Sequence, residues 1–178
     1  MTRAHHTHDL IKLFAQCFGQ SHQTQLVCGT DEPLYLPACA TQPWHQIIFA
    51  HGYFSSALHE CAHWFIAGHQ RRLQTDYGYW YVPEGRNHQE QRLFEQVEIK
   101  PQALEWILAK ACDYPFHFSL DNFNATDDSA YFKTQVYAQV QRYCTEGLPE
   151  RAQLFRQALC QFYQTEQVLK KNAFLAPV

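Results

Sequence analysis

With 178 residues, a formal net charge of -3 and a pI near 6.4, the chain is long enough for one self-sufficient domain, and it lacks the basic excess that a nucleic-acid partner demands. No run of ~20 apolar residues could cross a bilayer, and the polar start from Met1 to Asp9 is no secretory leader. Seven scattered cysteines with no C-x-x-C pair read as reduced thiols rather than a disulfide frame or a zinc ribbon. The expectation is a cytoplasmic protein with a single catalytic domain over 1–178, flexible over 1–6, with no membrane and no direct nucleic-acid contact.

In chain order, Thr7 reads as the cap of a first helix carrying Leu10, Leu13, Phe14 and Cys17 at helical spacing, with Gly19 as its stop. Between Gln20 and Trp44, Pro, Gly and Thr surround two short apolar pieces, Leu26-Val27 and Leu34-Tyr35-Leu36. Both read as strands. Gln46 to Ala50 reads as a buried strand, and His51-Gly52 as the turn that follows it. His51 is thus expected near the next element, either supporting a ligand there or serving only the turn.

That next element is Ser55 to Gly68, which contains His59-Glu60-x-x-His63. Positions four apart on a helix share a face, so the two imidazoles can reach one cation. Ser55 or Ser56 would cap this helix, Gly68 would end it, and Leu58, Ala62, Phe65 and Ile66 would form its buried stripe. Cys61 falls on another face from the histidines and reads as core packing.

Thr75 to Val82 reads as a strand, with Tyr79, Trp80 and Tyr81 as candidate walls of a substrate pocket and Asp76, Glu84 and Glu95 as candidate charges facing it. From His88 to Ala111, apolar residues at Phe94, Val97, Pro101, Leu104, Leu108 and Ala111 indicate one helix kinked near Lys100, or two nearly collinear ones. This region is expected to supply a third ligand. Projected at ~100° per residue, Glu98 falls roughly 80° from the stripe centre and Glu95 roughly 140°, so Glu95 should face water. Glu105 is nearer the stripe but beyond the proline, and spacing favours Glu98 over it. Tyr131 to Glu146, closed by Gly147, and Pro149 to Gln164, with Leu154, Phe155, Ala158, Leu159 and Phe162, read as packing helices.

Two imidazoles and a carboxylate leave positions open on a metal and serve two reaction classes. With zinc, Glu60 would act as the base of a metallopeptidase. With Fe(II), the same donors form the facial triad of a non-haem oxygenase that uses O₂. A third possibility, a metal-free module that holds a partner, would leave both histidines structural. The motif alone favours the peptidase, but the extended H-x-x-G-x-x-H pattern of one large branch is missing.

Longer strings separate these possibilities. Asp31-Glu32-Pro33-Leu34-Tyr35-Leu36-Pro37-Ala38, Phe49-Ala50-His51-Gly52, Ile66-Ala67-Gly68, Tyr77-Gly78-Tyr79-Trp80-Tyr81 and Lys100-Pro101-Gln102-Ala103-Leu104 accompany the motif. So do Phe94-Glu95, Val97-Glu98, Tyr114-Pro115-Phe116, Ala138-Gln139-Val140 and Pro149-Glu150-Arg151. Over nearly its whole length the chain resembles the elongation factor P hydroxylase family, bacterial enzymes that hydroxylate the lysine of translation elongation factor P after β-lysine has been attached to it. The resemblance implies Fe(II) held by His59, His63 and Glu98, with zinc able to occupy the same donors in purified protein, and O₂ as co-reactant. Glu60 then becomes a group that orients a ligand or handles a proton. The expected fold is a single α+β domain, predominantly helical, with a small sheet beside the metal-binding helix.

Overall fold

Period-two burial builds the sheet. In β1 (Thr24–Cys28), Thr24 and Leu26 are buried; in β3 (His45–Phe49), Ile47 and Phe49 are. β3 is central: it pairs in parallel with β1, Leu26 opposite Ile47, and antiparallel with β2 (Leu34–Leu36), Tyr35 opposite Ile47. The hydrogen bond from Gly29 N to Phe49 O extends the β1–β3 ladder, and a Cβ at Gly29 would lie 2.6 Å from Ile48 Cγ2, so no larger residue fits this approach. Asp76 bridges to Tyr35 and adds one more pairing at the β2 edge. The computed structural model describes residues 3–76, 88–119 and 126–177, the side chains of 88–95 and 126–128 aside.

The first helix differs from expectation at both ends. α1 (Thr7–Phe14) is preceded by His6 as its N-cap residue, without a side-chain cap, and continues through a π-helical turn, Ala15–Gly19, into the short α2 (Gln20–His22). Gly19 does not stop it, because its backbone stays right-handed; the stop is Gln23, with φ 47°. His5 sits among Phe54, Tyr114 and Tyr163 and bonds through Nε2 to the Cys112 carbonyl at 2.8 Å. That contact ties the segment before α1 to the body.

α3 (Phe54–Ile66) carries the His-Glu-x-x-His motif. Tyr53, not Ser55 or Ser56, occupies its N-cap, and Ser56 Oγ instead accepts a hydrogen bond from Ala50 N at 3.0 Å, fastening the helix start to the turn after β3. Gly68 does not close the other end. There the chain turns extended at Ala67, and the Arg151 guanidinium donates to the carbonyls of Trp64, Phe65 and Ala67 at 2.8–3.1 Å, satisfying acceptors that a left-handed glycine would otherwise cover. Phe54, Ala57, Leu58, Cys61, Ala62, Trp64 and Phe65 are buried on this helix. Phe14, Phe18, Trp64, Phe65 and Phe155 form one aromatic cluster with centroids 4.9–6.3 Å apart.

α4 (His88–Ala111) is one continuous helix through Pro101 and packs along α3. Pro101, Leu104, Leu108 and Ala111 of the expected stripe are buried, and the buried face is wider than the apolar spacing suggests. Val97 is 49% exposed, whereas Glu98, Gln102 and Glu105 are buried beside Leu104, Ile107 and Leu108. α5 (Thr126–Glu146) begins five residues before the expected Tyr131, buries Phe132, Val136, Val140 and Tyr143, and ends at Gly147 with φ 94°. α6 (Glu150–Tyr163) starts after Pro149 and closes at Gln164, with φ 58°. Its Leu154 is exposed rather than packed, and Arg156 is buried in its place, bonded to the carbonyls of Glu166 and Gln167. All seven cysteines are free, and no described helix is long and apolar enough to cross a membrane.

Candidate metal centre

Two features of neighbouring helices meet in one place. One turn of α3 stacks His59 and His63, and α4 lays Glu98 opposite them. His59 Nε2 and His63 Nε2 are 3.0 Å apart; Glu98 Oε2 lies 3.4 Å from the first and Oε1 3.3 Å from the second. Donors ~2.1 Å from a common small cation, at tetrahedral or octahedral angles, sit ~3.0–3.4 Å from one another, so the separations of these three side chains suit a single ion. Among the described residues this is the one group of three or more His, Cys, Asp or Glu side chains with ligand atoms within 4.8 Å of one another.

Without an ion the same groups form a charge cluster. Burial works against the charged form of Glu98, but the charge of His63 and the hydrogen bonds from His59 and His63 outweigh it and hold the carboxyl well below the usual carboxylate range. Burial likewise opposes the imidazolium of His59, yet its bonds to Glu105 and Glu98 raise it well above the ordinary imidazole value. His63 is raised as well, burial being overcome by the charge of Glu98. Glu60, half-buried next to this cluster, is pushed up by burial, while His63 and His59 pull the other way.

The cluster opens into a cavity of about 380 Å³ bounded by Ser55, Ser56, Glu60, Gln102, Pro115 and Phe118, among others. Gln102 shapes one wall of it. Its amide donates to Ser119 O at 2.8 Å and accepts from Ser119 N at 3.2 Å, pinning the 114–119 loop, whose Phe116 and Phe118 rest on Trp106. A second cavity of about 470 Å³ shares Glu60 and His63 with the first and is lined mainly by apolar groups, including Trp64, Ile66, Val97 and Pro101. Glu60 therefore faces both spaces.

Of the residues the sequence nominates, the structure brings together His59, His63, Glu98 and Glu60. Asp76 lines the second cavity and pairs with Arg71 at 2.6 Å. Tyr79, Trp80, Tyr81 and Glu84 lie outside the described residues, as does the side chain of Glu95. His51 sits in the turn after β3. It is exposed, holds φ 51° and packs on Tyr53, and among the described residues it makes no hydrogen bond to His59 or His63. Sequence reasoning weighed Glu105 only as a rival ligand and missed Gln102. Its signal was available: positions 98, 102 and 105 follow i, i+4, i+7, so three polar side chains share one face of a helix at the spacing expected of a core stripe.

The comparisons agree with one another. A family model described as "Elongation factor P hydroxylase" matches residues 13–174. The chain is also 52% identical over 171 residues to a Haemophilus influenzae protein named "Elongation factor P lysine hydroxylase", with 96% of each chain covered.

Proposed function

The chain belongs to the elongation factor P hydroxylase family, and we propose that it hydroxylates the modified lysine side chain of translation elongation factor P in the cytoplasm, using Fe(II) held by His59, His63 and Glu98. The observation that carries this reading is the convergence of two Nε2 atoms and one carboxylate, with Oε–Nε2 distances of 3.3–3.4 Å, on a cavity open to solvent. Two imidazoles and one carboxylate are the donor set of non-haem iron oxygenases. The metallopeptidase reading, which the five-residue motif favoured by itself, yields to the family match.

When bound, the metal supplies the activation of O₂ that insertion into an unactivated C–H bond requires. The chain's own residues do the rest. The 114–119 loop pinned by Gln102 gives the long side chain a fixed wall. Glu60 does not serve as a hydrolytic base. Half-buried beside His63, its carboxyl holds or moves a proton at the boundary of the two cavities.

Inserting one atom of O₂ requires two electrons to dispose of the other, so the test incubates β-lysylated elongation factor P in air with Fe(II)-loaded protein and a reductant, ascorbate alone or together with 2-oxoglutarate, and follows the factor by mass spectrometry. A gain equal to one oxygen atom on the modified lysine, lost after chelation, supports the proposal; peptide cleavage, or no change, overturns it.

A further inference from the structure

The Glu105 carboxylate contacts a proposed ligand. Its Oε2 lies 2.8 Å from His59 Nδ1, on the side of the ring away from Glu98 and His63. The residue is only 7% exposed, one turn from the buried Gln102 and Leu108, where an unpaired carboxylate is costly. His63 has no equivalent: among the described residues nothing bonds its Nδ1.

We propose that Glu105 is the positioning residue of the metal centre, fixing the tautomer and ring plane of His59 so that its Nε2 lone pair faces the ion. The inference rests on the reading of His59, His63 and Glu98 as a metal site, and deepens it. The reasoning is one of proton inventory. A neutral imidazole has a single N–H, and an ionised carboxylate only accepts, so a Glu105 contact at Nδ1 places the proton there and leaves Nε2 bare. A carboxylate one ring behind a metal-bound imidazole also raises the basicity of the nitrogen that faces the ion. The two ligands from α3 are therefore not equivalent, His59 being anchored from behind and His63 having no such anchor among the described residues.

The test titrates metal-free wild type, E105Q and E105A with Co(II), and records ¹⁵N–¹H correlations of the imidazoles in zinc-loaded wild type. Removing a carboxylate that orients a metal-bound histidine costs roughly 10- to 100-fold in affinity, so E105A should bind Co(II) weaker by that factor. E105Q, which keeps an acceptor oxygen but not the charge, should fall between. In the zinc-loaded protein His59 should carry its proton on Nδ1. Wild-type affinity in E105A, or in E105Q if E105A does not fold, overturns the inference, as does a zinc-loaded His59 protonated on Nε2. Failure of the wild type itself to bind Co(II) overturns the underlying metal site instead, so the two failures are distinct.

Discussion

The two faces of α3 are built from the same thirteen residues and do opposite work. One face buries Leu58, Ala62, Trp64 and Phe65 in the aromatic cluster with Phe14, Phe18 and Phe155, and each large apolar side chain there contributes about 1.5–3 kcal/mol of transfer free energy. The other face presents His59, Glu60 and His63 to two buried carboxylates of α4, an arrangement that costs desolvation and is offset only by mutual pairing or by a cation. The dry face holds the helix in place; the wet face uses that rigidity. Contacts at both ends of α3 serve the same purpose, its own Ser56 bonding Ala50 at the start and Arg151 of α6 bonding the last carbonyls.

The comparison breaks most visibly when a ligand is removed. His59→Ala, His63→Ala or Glu98→Ala should lower hydroxylation by more than about 100-fold, beyond the loss expected for a merely supporting group, while the far-UV spectrum stays that of the folded protein. Activity within a few fold of wild type in any of them would detach the wet face from catalysis. Leu58→Ala makes the opposite cut. It should cost about 2–5 kcal/mol of unfolding free energy in denaturant titration while leaving metal affinity nearly unchanged in the folded population. Equal loss of stability and affinity would show that the faces are not separable.

A smaller effect comes from pH. In the metal-free protein His59 and His63 have raised folded-state values, so their contribution to stability is complete below the ordinary imidazole value of about 6.5 and is lost as pH rises through those raised values. Glu98 is depressed, so its contribution is complete above the ordinary carboxylate value of about 4.3 and is lost only as pH falls below it. The metal-free melting temperature should therefore gain most from this cluster between these values and decline on the alkaline side. Metal requires neutral imidazoles, so the rise in melting temperature on metal addition should grow with pH over the same range. A metal-free profile flat from pH 6 to 9 would contradict the pairing. Smallest of all is His51→Ala: exposed and at a turn, it should change stability by under about 1 kcal/mol and leave metal affinity as it was. A loss comparable to that of His63→Ala would assign His51 the supporting role.

How far the sequence could be read follows the same division. Periodicity places β1, β2, β3 and α3 to α6 close to where they occur, because a stripe or an alternation of apolar residues announces itself. Helix ends were misread where a tertiary partner replaced the local signal: Gly68 is an obvious stop, but Arg151, 84 residues along the chain from Ala67, satisfies the carbonyls instead. The apolar pattern marks the α4 stripe correctly at Leu104, Leu108 and Ala111 but too narrowly. A projection that counts only apolar residues treats Glu98 as an edge position, whereas pairing with His59 and His63 lets its carboxylate sit inside at 4% exposure while Val97 turns outward. His59, His63 and Glu98 could be nominated because motif spacing and family resemblance both point to them. The part played by Glu105 could not, since no pattern in one chain says which nitrogen of a distant imidazole a carboxylate touches.

The most direct test is the metal content of protein equilibrated with Fe(II) under nitrogen and then freed of unbound ion. Wild type should retain one ion per chain, and the His59→Ala, His63→Ala and Glu98→Ala proteins almost none. A wild type that retains no iron, or a Glu98→Ala protein that keeps a full equivalent, would contradict the account.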